Sequence, residues 1–423
     1  MFGFIPPEGG TPNPDSMNKP FDYDVIIAGG GPAGASAAIH LTMNGVRVLL
    51  VEQKTFPRAK LCGEFISPEC APHFARLGVA DRLLAAGPAK LTETVFYSPK
   101  GQSVSVPSAW FRVNGVALGL SRAEMDEQLL RRASAAGAQV LEDTQVADLL
   151  FDKDRVAGLR VKRHGSEVDY RAPLTIDATG RTRALARRVG RQRNKMKRNR
   201  ASLVAFKAHL ENARVAPGAC EIYFYRGGYG GLSSIEGGLS NLCFIAAARE
   251  VRKCGADAER VMREVVSQNR RAAQALEQAR ACTPWLAVSL EGFGRHAVTP
   301  AIGLLAIGDA ASFIDPFTGS GMLMALESGE LAAGLIRDHL GAIRSGDGLR
   351  KLEMAYASAY RKRFHSRLRA CSMIRRAAFV PGLAQLAIRV FGASECLRQR
   401  MSRATRGGSP ETYCLTERLN DGG

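Results

Sequence analysis

The chain has 423 residues, 46% of them hydrophobic, with 58 Lys and Arg against 40 Asp and Glu and a formal net charge of +18. That length and apolar content allow two packed domains with a real core and exclude a disordered tail protein or a small disulfide scaffold. Nine cysteines, an odd number with no C-x-x-C pair, fit a reducing compartment and argue against a disulfide framework or a zinc site, so the cytoplasm is the expected location.

Residues 1–22 lack the basic start and continuous apolar core of a secretory signal; their Pro, Gly and Asn content predicts a loose tail, with Met17 as an alternative start. No window approaches the roughly 18 uncharged apolar residues of a membrane-spanning helix. YDVIIA (23–28) then reads as a short strand, Pro32 to Met43 as a helix that Gly45 ends, and Val46 to Val51 as a second strand closed by Glu52. Gly29-x-Gly31-x-x-Gly34 alone is a weak signal. Following a strand, opening a helix and meeting an acid at the end of the next strand, it reads as a dinucleotide loop. Gly29 permits the tight turn, Gly31 lets backbone N–H groups approach a pyrophosphate, and Gly34 lets the helix pack on the strand. The carboxylate of Glu52 suits an unphosphorylated ribose, which leaves FAD or NAD.

Ser121-Arg-Ala-Glu124 is a capping box opening a helix whose face of Leu129, Leu130 and Ala133 leads toward a strand at Gln139–Leu141. LTIDATG (174–180) and LLAIGDA (304–310) end two more strands. SLVAFKAHLE, CEIYFYRGGYG and NLCFIAAA, with the segment near 92–118, alternate apolar and polar residues between Gly turns. The predicted fold class is therefore α/β. A Rossmann-like domain of 23–91, 119–200 and 293–340 carries an inserted, mostly antiparallel β-sheet substrate domain of 92–118 and 201–292, followed by a basic helical C-terminal region, 341–423.

The basic charge is concentrated. Ten of the twenty residues from Arg181 to Arg200 are Lys or Arg, and 360–392 interleaves arginines with apolar residues. This reads as a solvated surface with an amphipathic helix docked on the body, or as peripheral contact with the inner face of a membrane. Without interleaved aromatics the basic run predicts no specific nucleic-acid binding.

AIGDAASFIDPFTGSGM (306–322) adds a second glycine-rich turn, whose Pro316 and small residues open another helix. Two contact regions so far apart in sequence imply a long ligand. At these residues the chain resembles the flavoprotein superfamily of para-hydroxybenzoate hydroxylase, geranylgeranyl reductases and flavin-dependent halogenases. The resemblance implies FAD, with Gly29, Gly31, Pro32, Ala33 and Gly34 at its pyrophosphate, Glu52 at its ribose, Arg122 near the phosphates and Val146 beside the adenine through its backbone. It also puts Asp309 on the ribityl chain and the loop of Gly319 and Ser320, with Gly321 and Met322, at the isoalloxazine. Read without the resemblance, Arg122 is also an exposed helix-start arginine and Val146 a core residue.

Lys60-x-Cys62-Gly63-Glu64 resembles the Lys-x-Cys-Gly segment of the geranylgeranyl reductase-like branch, where the Cys62 and Gly63 backbone would touch the flavin. Asp177-Ala-Thr-Gly180 is similar to that branch's Asp-Ala-Ser-Gly and departs from the Asp-Gly that aromatic hydroxylases tie to NAD(P)H; NAD(P)H is expected only as an external electron donor. Cys62 is either a proton donor or a small residue packed beside the ring, since a free thiol near pKa 8.5 is mostly protonated at neutral pH. Glu64 is a surface or ion-paired acid or a catalyst. Tyr229-Gly-Gly-Leu-Ser-Ser stands where prenyl reductases carry Tyr-x-Trp-x-Phe-Pro, so Tyr229 is a pocket residue or a turn residue and a prenyl substrate loses support. The halogenases' Trp-x-Trp-x-Ile-Pro is absent too, the tryptophans being Trp110 and Trp285. The seven histidines show no ligand spacing, and no metal is expected.

The expectation is an FAD-dependent monooxygenase of secondary metabolism that hydroxylates an apolar, polyketide- or lipid-like substrate through a flavin hydroperoxide, with a reductase or other donor as partner. The alternatives are a double-bond reductase using hydride from reduced FAD, and an electron-transfer flavoprotein acting on a membrane quinone, for which the basic C-terminal third is the motive.

Overall fold

The computed structural model describes residues 21–193, 203–290, 293–314, 319–345, 348–378 and 382–404. Nearly all of the predicted tail with Met17, the basic run from 194 to 200, Pro316 and residues 405–423 lie outside these.

Five short parallel strands form the first sheet, in the order Leu304–Ala306, Leu174–Asp177, Val25–Ala28, Val48–Val51, Gln139–Leu141. The central strand is the apolar run VIIA, buried throughout, as a sheet covered on both faces requires. Its side chains alternate. Val25 and Ile27 join a cluster with the helices Pro32–Thr42, Arg122–Ala135 and Gly321–Asp338, while Ile26 and Ala28 pack beneath a three-stranded antiparallel sheet of Gln145–Asp152, Arg155–Arg163 and Ser166–Arg171. Each fully buried Ile or Leu here is worth about 1.5–3 kcal/mol of transfer free energy. The three-stranded cover sheet was not anticipated from the sequence.

The helix Pro32–Thr42 (PAGASAAIHLT) holds no acid, Lys or Arg and lies wedged between the sheet and Gly321–Asp338. Its small residues are required by distance. A Cβ on Gly34 would lie 1.9 Å from the Gly29 carbonyl oxygen, and one on Gly329 would lie 2.6 Å from the Ala33 oxygen. Ser36 Oγ donates to the Leu326 carbonyl across the same contact, at 3.1 Å.

The second sheet has eight strands. Its main path runs from Arg280–Ala281 through Leu203–Glu211, Ser240–Ala247, Gly228–Ser234, Ala219–Tyr225 and Glu93–Tyr97 to Ser103–Pro107, with Leu286–Leu290 also on Leu203–Glu211. Every pairing is antiparallel except Ala219–Tyr225 with Glu93–Tyr97. Phe206, Ala208, Leu210, Phe244 and Ala246 face a helical layer of residues 251–279. The alternate positions, Ala205, Lys207, His209, Asn241, Cys243 and Ile245, therefore face the parallel-sheet domain.

The helix Leu349–Ala378 lies along the back of the molecule, where Tyr356 Oη donates to the Ala306 carbonyl at 2.8 Å and Arg367 donates to Glu327 at 2.6 Å. Two shorter helices, Leu383–Ala393 and Glu395–Ala404, follow; the first buries Ile388 against the second sheet and leaves Leu386 and Val390 exposed. No helix among the described residues is long and apolar enough to cross a membrane.

Gly329→Ala sets a Cβ against backbone that cannot yield, so it is expected to cost about 1–3 kcal/mol in chemical denaturation. Gly334→Ala, on the same helix with open space around it, serves as the control and is expected to stabilise by about 0.5–1 kcal/mol.

Candidate functional site

A cleft of about 560 Å³ opens between the carboxyl ends of the parallel strands and the inward face of the second sheet. Such a position outside the strand ends is where open α/β sheets take ligands. At one end, Gly29 adopts φ +109° with its would-be Cβ 2.4 Å from the Ala178 oxygen, so only glycine fits. Gly31 precedes the helix without a side-chain cap, and a Cβ there would meet nothing nearer than Arg58 Nη2 at 3.9 Å. The start of the helix, at Gly31, Pro32 and Ala33, thus lines the cleft without a side-chain cap, the arrangement that receives a phosphate. Pro32 and Ala33 line the same wall, whereas Gly34 sits behind it against Gly29.

Glu52 is held at the end of its strand by the Gly30 N–H (2.8 Å) and the Lys54 N–H (3.0 Å). Arg58 lies over the Phe56 ring at 4.5 Å, 3.8 Å from Glu52 and 3.5 Å from Asp126, and its Nε and Nη1 are buried without a hydrogen-bond acceptor. Lys60 is exposed at the cleft, and desolvation by the cleft wall, with Arg122 and Arg58 close by, lowers its pKa. With Arg181 and Arg188 also on the wall, this end offers a cation excess and unpartnered donors to a pyrophosphate. Val146 lines the cleft as well, its carbonyl accepting from Arg188 Nη2 at 2.9 Å.

Arg122 is buried, which removes the exposed reading of it. Ser121 caps the helix by accepting from the Glu124 N–H, and the Arg122 guanidinium grips Asp126 at 2.8 and 2.7 Å. Burial works against its charge, but Asp126 and the Cys62 sulfur, to which it donates, hold its pKa above the usual arginine value. Asp309 stands in a tight turn after the last parallel strand, on the cleft wall. Burial raises its pKa, and Lys60, Arg122 and Arg181 oppose that rise. Gly319, Gly321 and Met322 line the far wall; Ser320 is buried beneath it.

The Asp177 carboxylate accepts from the Thr179 N–H (3.0 Å), the Thr179 hydroxyl (2.6 Å) and the Ala186 N–H (2.9 Å). It is spent on shaping the turn that brings Ala178, Thr179 and Gly180 to the cleft. On the opposite side Cys62 and Gly63 enter the wall, and a Cβ on Gly63 would meet no atom within 4 Å. The Cys62 sulfur accepts the Glu64 N–H at 3.4 Å, and its carbonyl accepts Asn241 Nδ2 at 3.2 Å. Glu64 is the ion-paired acid: wholly buried, it takes Lys207 Nζ, His209 Nε2 at 2.7 Å and the Arg122 N–H at 2.8 Å. Ala205, Ile245, Leu290, Phe313 and Ile314 make this end apolar. Tyr229 does not line the cleft; it packs behind it with Phe224 and Ile245.

Sequence reasoning passed over Arg58, Lys207, His209, Asn241 and Cys243. For Lys207 and His209 a signal was present: in SLVAFKAHLE they are the polar members of a strand whose alternate residues are apolar.

A family model described as the FAD binding domain matches residues 22–342. The chain belongs to that family. Its cofactor is FAD, and it is an FAD-dependent oxidoreductase. It is 27% identical over 350 residues to the digeranylgeranylglycerophospholipid reductase of Methanocella arvoryzae, covering 81% of this chain and 83% of that protein. It is 25% identical to the 1H-pyrrole-2-carbonyl-[peptidyl-carrier protein] chlorinase of Pseudomonas fluorescens, covering 77% of each. The solved geranylgeranyl bacteriochlorophyll reductase-like protein of Thermoplasma acidophilum shares the fold, with a TM-score of 0.73 at 22% identity over 94% of this chain and 99% of that one.

The bare glycines, the unpartnered Arg58 donors and the Glu52 carboxylate fit this cofactor. Because burial raises the Asp309 pKa, its ionised form costs stability in the flavin-free protein at neutral pH, and that cost fades as the pH falls through the raised folded-state pKa. Asp309→Asn is therefore expected to raise the thermal midpoint of flavin-free protein at pH 7 more than at pH 5. In the same variant FAD retention through gel filtration is expected to fall about tenfold, read by absorbance.

Proposed function

We propose that the protein reduces a carbon–carbon double bond of an apolar substrate, with Cys62 donating the proton. The observation that carries this reading is that Cys62 lines the cleft, beside the bare Gly63 and the apolar residues Ala205, Ile245 and Leu290. Reduced FAD, recharged by NAD(P)H or a partner reductase, supplies the hydride. The chain's own residues handle the proton and the water. After the S–H bond breaks toward the substrate carbon, the thiolate is met by the Arg122 guanidinium and the Glu64 N–H, both already directed at the sulfur. Asn241 fixes the Cys62 carbonyl from the second sheet and so sets the thiol's position. Ala205, Ile245, Leu290 and Phe313 keep that end dry and select an apolar chain. The reading is consistent with the reductase named among the relatives.

Hydroxylation is the second reading, favoured by the replacement of the prenyl reductases' aromatic segment by Tyr229-Gly230-Gly231. The two separate in anaerobic single turnover of photoreduced protein with isoprenoid and polyene alkenes. Oxygen-independent reoxidation with a product gaining two hydrogens is expected, slowed about a hundredfold in Cys62→Ala at unchanged FAD content. Reoxidation that needs O2 and yields a product gaining an oxygen atom would favour hydroxylation instead.

A further inference from the structure

One side of the second sheet carries aliphatic side chains that the fold leaves uncovered. Val113 and Val116, in the loop after the short turn Ser108–Trp110, are exposed, Val113 to 71%. Leu386, at 56%, Val390 and Leu397, from the last two helices, are exposed as well. The two segments are far apart in sequence and adjacent in space. Both helices, Leu383–Ala393 and Glu395–Ala404, pack on the edge strand Ser103–Pro107, and the second also packs on Ser108–Trp110, where the Arg398 guanidinium lies over the Trp110 ring at 5.7 Å. Aliphatic side chains scattered singly over a surface need no explanation; a group gathered from two packed segments does.

The helix Leu383–Ala393 is apolar on two sides. Leu386, Arg389, Val390 and Ala393 recur at helical spacing and all are exposed, so they share its outer face. Ile388 and Phe391 turn the other way, into a cluster with Ala205, Ile245, Leu290 and Phe313, which line the apolar end of the cleft. One helix thus stands between that cluster and the exposed face.

The charge around this face has one sign. Arg112, Arg389 and Arg400 are exposed and have no acidic partner among the described residues. Between residues 354 and 404 eleven Lys and Arg stand against a single acid, Glu395. Exposed aliphatics flanked by arginines suit a surface that offers negative charge and hydrocarbon together, as the headgroup region of an anionic membrane does. A second copy of this chain, with its own net charge of +18, would be repelled. A nucleic acid supplies the charge but no hydrocarbon for the aliphatic side chains.

We infer that the loop 111–116 and the helices Leu383–Ala393 and Glu395–Ala404 form a surface that settles into the headgroup layer of an anionic membrane. The substrate is then drawn from that membrane and enters the cleft past Ile388 and Phe391. Only this second step rests on the reading of the substrate as apolar.

Vesicle flotation of the full chain loaded with FAD tests the docking. Vesicles of equal parts phosphatidylglycerol and phosphatidylcholine are expected to carry the protein upward, and high salt or pure phosphatidylcholine to release most of it. Leu386→Glu combined with Val390→Glu is expected to lower the bound fraction about tenfold at unchanged flavin content. Leu84→Glu combined with Val168→Glu, at exposed aliphatics elsewhere, is expected to leave it unchanged. With an isoprenoid alkene dissolved in the vesicles, turnover by the first pair is expected to fall in step with binding, while turnover of a short water-soluble alkene stays native. Equal flotation of the two pairs, no flotation of the unaltered chain, tighter binding to DNA than to anionic vesicles, or a dimer that the first pair dissolves would overturn the docking. Turnover of the vesicle-borne alkene that ignores the loss of binding would overturn the entry path alone. A chain that floats yet turns over neither alkene would contradict the proposed reaction and leave the docking in place.

Discussion

Everything in this molecule depends on how closely the backbone at Gly29 approaches its neighbours. The turn there passes over the Ala178 carbonyl, and the helix that follows sits on the Gly29 carbonyl with no room for a Cβ at position 34. A second close crossing, at Gly329, clamps the same helix from its outer side. Because the helix is fixed from both sides, its uncapped start lines the cleft and the late turn at Gly308 and Asp309 meets it there. Packing and binding are thus linked: side chains at Gly34 or Gly329 would push the helix away from the place where its first residues line the cleft.

The nucleotide end was legible in the sequence because its requirements are local. A tight turn, a bare approach and a carboxylate at the end of the next strand are fixed by a few residues near one another in the chain, and Gly29, Gly31 and Glu52 occupy those places. The α/β class followed from strand, turn, helix and strand in order. What escaped was decided by long-range pairing. The cover sheet of 145–171 alternates weakly, with exposed residues through much of Ser166–Arg171, so its burial is visible only once the parallel sheet is in place. Glu64, Lys207 and His209 come from segments 143 and 145 residues apart and meet only because the second sheet folds back on the cysteine loop. Pattern could show that Lys207 and His209 share a strand face; it could not show what that face meets.

The two halves of the cleft divide the work by their chemistry. The parallel-sheet side carries glycines, helix N–H groups and cations, a set that suits an extended anionic ligand. The second sheet carries Ala205, Ile245 and Leu290 for an apolar partner, with Asn241, Cys243 and the charged cluster beside them. Cys62 stands at the seam, its carbonyl tied to one side and its sulfur to Arg122 on the other.

The central claim, that Cys62 gives a solvent-derived proton to a substrate carbon, is tested most directly by running the reaction in D2O and locating deuterium in the product by NMR. Because the transferable hydrogen of reduced FAD and the Cys62 thiol both exchange with water, the account predicts deuterium on both former alkene carbons, each on a single face, with the facial preference at one of the two carbons lost in Cys62→Ala. A product free of solvent deuterium, or an unchanged facial preference at both carbons in Cys62→Ala, would contradict it.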